Sequence, residues 1–161
     1  MWNKIKSILK KENFVKIKAC DIYKTLKEYK IVTLSTSDTG LFLADVPTFI
    51  LPITISKDEL SNKIFSSLNS SRCNVPFPNS KVEMQEFQKK HLKDLKEKSF
   101  KSLYKNSINC SIRLENNILE ITPSRFEKYY LEPVSEKSVK IEYNNNELEV
   151  TKIIIDILNR K

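Results

Sequence analysis

His91 is the only histidine of the chain and stands in the lysine-rich run KKHLKDLK. Zinc-type sites draw several Cys and His ligands from short spaced motifs. General-base catalysis by histidine needs an orienting acid and a nucleophile in reach. The spacing supplies neither, so His91 reads as part of a helix face. Cys20, Cys73 and Cys110 are scattered, odd in number and free of any Cys-x-x-Cys spacing. That suits reduced, buried thiols better than a disulfide framework or a nucleophile. No serine lies in a G-x-S-x-G elbow, and Glu115, Glu120, Glu127 and Glu132 have no spacing that singles out a pair. Gly40 is the only glycine. Phosphate-cradling loops need several glycines for close backbone approach, so nucleotide-dependent enzymes of those classes are excluded. The expectation is no catalytic residue, no metal, no cofactor and no small-molecule substrate.

Two stretches suit recognition instead. DELSNKIFSSLNSSR, residues 58–72, ends on two serines and Arg72. ITPSRFEKYYLEP, residues 121–133, combines Arg125 and Phe126 with Tyr129 and Tyr130. Arginine and tyrosine are the residues that dominate binding hot spots, which makes Arg72, Arg125, Tyr129 and Tyr130 the candidate contact residues. In the competing reading Phe126 and Tyr130 pack into the core while Arg125 pairs with a surface acid. Stacking of single-stranded bases on the tyrosines is opposed by Glu127, Glu132 and Glu136.

The elements that would position these residues follow from periodicity. Leu60, Ile64 and Leu68 recur every four residues with Phe65 beside them, and Ser56 precedes Glu59 at capping-box spacing; this predicts a helix with a buried face. Trp2–Lys10 could form a short amphipathic helix. Val15, Ile17 and Ala19 alternate with lysines as in a strand, and Ile31–Thr36 is β-branched and runs into the turn signal Ser37–Gly40. LFLADVPTFILPITI, residues 41–55, holds Pro47 and Pro52 and reads as two short strands or an edge segment. Residues 81–104 are helical in propensity, with Met84, Phe87, Leu92, Leu95 and Phe100 as the buried set. Ile108, Cys110, Ile112 and Leu114 alternate up to Asn116-Asn117, a hairpin signal, and Pro123 is expected to end the returning strand. Val139–Tyr143 reads as a further strand. Asn146 with Glu149 favours a C-terminal helix, with a short 148–150 strand as the rival. The result is one α+β domain over residues 1–161, a mostly antiparallel sheet flanked by helices.

With 161 residues the chain can bury a sizeable core. No apolar run of secretory or membrane-spanning length is present, so a cytosolic location is expected. The formal charge is +8. Residues 1–30 carry nine lysines against three acids and residues 81–105 carry eight against four, while the rest holds eleven bases against thirteen acids. A small basic nucleic-acid-binding or regulatory protein is therefore the alternative function. It is weakened because the basic segments are built of Lys, whereas base-edge recognition and phosphate forks favour Arg.

The order of segments FILPI (49–53), DELSNKIFSSLNSSR (58–72), ILEITPSR (118–125) and NELEVTKIIIDILNR (146–160) resembles that of immunity proteins of bacterial contact-dependent growth inhibition systems. Where that family has a glycine after each E-L pair, this chain has Ser61 and Glu149. The resemblance implies a cytosolic, non-enzymatic protein whose partner is the C-terminal toxin domain, expected to be a nuclease, of its own system's exported protein. Some members receive a toxin hairpin by strand addition. Basic nucleases would be steered to acidic partners. Contact is therefore expected through the less basic surface outside residues 1–30 and 81–105.

Overall fold

The computed structural model describes residues 16–160, and the helix expected at Trp2–Lys10 lies outside them. Seven strands are laid down as β1 (Lys18–Lys24), β2 (Glu28–Thr36), β3 (Phe42–Pro52), β4 (Ile108–Glu115), β5 (Ile118–Glu127), β6 (Tyr130–Pro133) and β7 (Val139–Glu142). Four helices accompany them: α1 (Lys57–Asn69), α2 (Lys81–Asp94), α3 (Phe100–Lys105) and α4 (Glu147–Leu158). The strands form one antiparallel sheet in the order β3-β2-β1-β4-β5-β6, with β7 also paired to β5. The fold is α+β, as the alternation patterns indicate.

One face of the sheet presents Cys20, Ile22, Tyr29, Ile31, Cys110, Ile112, Leu119 and Ile121 to α1 and α4. Leu60, Ile64, Phe65 and Leu68 of α1 and Val150, Ile154, Ile157 and Leu158 of α4 complete this core, all nearly inaccessible to solvent. The predicted stripe of α1 is thus buried. Its N-cap is Ser56, whose Oγ accepts from the Glu59 N–H at 3.2 Å. On the opposite face Tyr23 and Val32 pack with Leu95 and Leu103 in a smaller cluster.

Several expectations are corrected. Phe14 and Val15 of the first expected strand lie outside the described residues; β1 runs over Lys18–Lys24, where Ala19-Cys20 and Ile22-Tyr23 are buried on both faces and leave no clean alternation. Residues 81–104 form two helices. The chain breaks after Leu95, where Lys96 takes φ +53° and the buried Lys30 Nζ donates to the Leu95 carbonyl at 2.7 Å. Ser99 then caps α3, accepting from the Ser102 N–H at 3.1 Å. Of the set expected to be buried there only Leu95 is; Met84, Phe87, Leu92 and Phe100 are half-buried, and Leu103 takes the inner place. Asn116 and Asn117 make the β4–β5 turn at φ +50° and +61°. Pro123 does not end β5. A strand residue directs its N–H and C=O to the same side, and Pro123 faces the gap between the pairings of β7 with residues 118–121 and of β6 with residues 124–127. Its missing N–H therefore costs no ladder bond, and its carbonyl accepts from the Val134 N–H at 2.8 Å. Asn146 precedes α4 without a side-chain capping bond.

β3 is a single edge strand, not two, and is kinked by a bulge between its pairings with Val32 and Thr33, where Val46 and Pro47 are extra residues. Proline and bulges are common guards of an exposed edge.

Candidate partner-binding surface

The Ser-Ser-Arg end of α1 ties the helix to the sheet. Ser71 is buried; its Oγ accepts from the Ala19 N–H at 2.9 Å and donates to the Leu34 carbonyl at 2.8 Å. The Arg72 N–H donates to Ser35 Oγ at 2.9 Å, and the Thr36 N–H to the Arg72 carbonyl at 3.0 Å. Arg72 then turns its guanidinium onto β3, with Nε and Nη2 donating to the two oxygens of Asp45 at 2.8 and 2.9 Å. Ser35 Oγ also donates to Asp45 at 2.6 Å. Burial alone would raise the Asp45 pKa, but the bonds from Arg72, Ser35 and the Val46 N–H outweigh it and hold the carboxyl below its ordinary 3.8.

Arg125, Tyr129 and Tyr130 converge at the β5–β6 hairpin. Arg125 faces Glu132 across the two strands and donates to it at 2.7 Å, with Glu127 at 3.0 Å on its other side. Lys128 takes φ +47° in the turn; Tyr129 follows it and Tyr130 opens β6, 70% and 57% exposed. Of the competing reading, Arg125 does pair with surface acids, Phe126 is half-buried, and Tyr130 is not in the core. Lys101 of α3 stands over the Tyr129 ring, Nζ 4.9 Å from the centroid.

These four residues do not form one site. Arg72 is fastened to β3 and Arg125 lies on β5, four strand spacings apart in the sheet order, about 19 Å at the usual separation. Tyr129 is also not apart from the second lysine segment, because Lys101 belongs to it. A separate signal lay in Lys101 and Lys105, four apart and hence on one face of α3. Lys105 lines a cleft of about 380 Å³ with Lys24, Thr25, Leu26, Asn106, Ser107 and Ile108.

Other titratable groups are structural in placement. Burial pushes the Cys20 thiol well up and Cys110 beyond the nucleophilic range. Asp21, which accepts from Ser111 Oγ at 2.6 Å, is raised by burial, against which Ser111 and Arg113 act. His91 is lowered by burial and lies 5.5 Å from the Phe100 ring. Among the described residues no three His, Cys, Asp or Glu side chains are grouped to hold a metal ion. No described helix is long and apolar enough to cross a membrane.

Two solved structures share this architecture. A protein of unknown function from Neisseria meningitidis superposes with TM-score 0.71 at 22% identity, covering 92% of this chain and 97% of the other. A toxin and immunity complex, CdiA-CT/CdiI, from Yersinia pseudotuberculosis superposes with TM-score 0.68 at 15% identity, covering 89% and 96%. At these identities the likeness is one of fold. No curated protein matches the sequence. The family model for the CDI immunity protein matches residues 18–160, nearly all of the described chain, and the protein belongs to that family.

Proposed function

We propose that the chain neutralises the C-terminal toxin domain of its own contact-dependent growth inhibition system by binding it in the cytosol, without catalysis, through the β5–β6 hairpin. Family membership supports the partner class, and the Yersinia neighbour is itself a toxin and immunity complex. The observation that carries the surface is the exposure of Tyr129 in the turn and of Tyr130 at the start of β6, on a hairpin whose flank is fixed by Arg125 between Glu127 and Glu132. Exposed tyrosines on a braced turn give large amphipathic contact area at low ordering cost. In this reading Arg72 serves the fold, since Asp45 occupies its fork.

The test is the affinity of the purified chain for the toxin domain of its own system, with Tyr129→Ala and Tyr130→Ala alongside. Truncating a hot-spot tyrosine costs about 2 kcal/mol or more, roughly thirtyfold in Kd. A loss of that size with unchanged thermal unfolding supports the surface. Unchanged affinity in both variants removes the hairpin from the contact.

A further inference from the structure

We infer that the toxin surface meeting this protein is acidic, and that it seats an apolar side chain flanked by carboxylates in the lysine-lined cleft between the β1–β2 turn and the end of α3. The inference rests on the proposed toxin-binding function and names the chemistry of its partner.

α3 is anchored by Leu103, which is buried, and by Tyr104, whose ring stacks on Tyr23 and Phe100 at 6.2 and 6.0 Å. That anchoring turns Lys101 and Lys105 outward, and both are exposed. Lys101 covers the Tyr129 ring, and Lys105 lines the neighbouring cleft. The tyrosine hairpin and the cleft are therefore joined through one helix face. The cleft offers apolar contact from Leu26, 95% exposed, and Ile108, 40% exposed.

The ionisable residues lining the cleft are Lys24 and Lys105, and no acid lines it. Lys24 Nζ donates to Asn159 Oδ1, a neutral acceptor, and no ion pair joins it to an acid among the described residues. Glu28, at the start of β2, lies 3.8 Å from Lys30, and Glu127 and Glu132 of the hairpin hold Arg125. A cationic rim around exposed aliphatic carbon complements carboxylates set around one apolar side chain. The lysines of α3 would then steer the encounter, so the positive charge of the chain assists binding instead of opposing it.

The experiment measures binding of the full chain to the toxin C-terminal domain of its own system from ~50 to ~500 mM salt. It compares wild type with Lys101→Glu/Lys105→Glu, Leu26→Ser, and the α2 pair Lys89→Glu/Lys93→Glu. Lys101, Lys105 and Leu26 are exposed, so these substitutions remove no core contact. Loss of about tenfold or more in the α3 pair, with a flattened salt dependence, is expected. Leu26→Ser is expected to lose about fivefold, while the α2 pair binds as wild type. If wild type binds and the α3 pair binds equally well, the acidic-partner inference is overturned and the toxin-binding function stands. If wild type does not bind the toxin domain, both are overturned.

Discussion

Arg72 and Asp45 form a two-pronged ion pair, Nε to Oδ2 at 2.8 Å and Nη2 to Oδ1 at 2.9 Å, that joins the end of α1 to edge strand β3. The Arg72 side chain is 64% exposed, so solvent screening holds the pair to about 0.5–1 kcal/mol. The carboxyl pKa is lower in the folded protein than in the unfolded chain. The unfolded chain therefore binds more protons in the acid range, and the contribution is present above the ordinary carboxylate pKa. It is lost as pH falls through the lowered folded value. Arg72→Ala should reduce unfolding free energy by about that amount at neutral pH in urea titrations. The gap from wild type should narrow as pH falls below the ordinary carboxylate range and through the lowered folded value. A gap independent of pH would mean that Arg72 acts through packing alone.

Lys30 is the most buried lysine of the sheet, 3% exposed, and its Nζ bonds both the Leu95 carbonyl at 2.7 Å and Glu97 at 2.5 Å. Lys30→Met would leave a buried carbonyl and a mostly covered carboxylate without their donor. A loss of about 3 kcal/mol is expected, measured by chemical denaturation. Faster amide exchange should be concentrated in residues 95–105. A loss under about 1 kcal/mol would show that water replaces the ammonium readily.

Ser71→Ala tests how α1 is fastened to the sheet. The substitution removes the acceptor of the Ala19 N–H and the donor to the Leu34 carbonyl, costing about 1–3 kcal/mol. Toxin affinity should be unchanged, because Ser71 lies beside β1 and β2 and away from the β5–β6 hairpin. A loss of affinity at unchanged stability would move the binding surface to this end of the sheet.

Much of this fold is written in local patterns. The four-residue recurrence of Leu60, Ile64 and Leu68 indicates the buried face of α1, and Asn116-Asn117 indicates the β4–β5 turn because asparagine tolerates positive φ. What misleads is context at long range. Pro123 looks like a terminator, and only the gap between β6 and β7 shows why it is harmless within β5. The stretch 81–104 looks continuous because the break depends on Lys30, some sixty-five residues away in sequence, reaching the Leu95 carbonyl. Arg72 looks free for a partner, yet its fork is matched by Asp45 beside a bulge that no periodicity reveals. The candidacy of Arg125 and the two tyrosines as contact residues was legible from composition alone. Their neighbourhood with Lys101 was not, since it depends on where α3 docks.

The two lysine-rich segments also separate the immunity function from its rival. A protein that used its two lysine segments to hold nucleic acid would bind arbitrary DNA or RNA, with affinity falling steeply as salt rises. The immunity function predicts no such binding at near-physiological salt, measured by fluorescence polarisation with a single-stranded and a duplex probe. Sub-micromolar, salt-sensitive binding to both probes would favour the rival.

The most direct measurement is titration of the purified chain into the toxin C-terminal domain of its own system. A saturating one-to-one complex with Kd in the nanomolar range, about −12 kcal/mol, is the predicted result. Absence of any complex at ~10 μM of each protein, where affinities weaker than about −7 kcal/mol go undetected, would contradict the account.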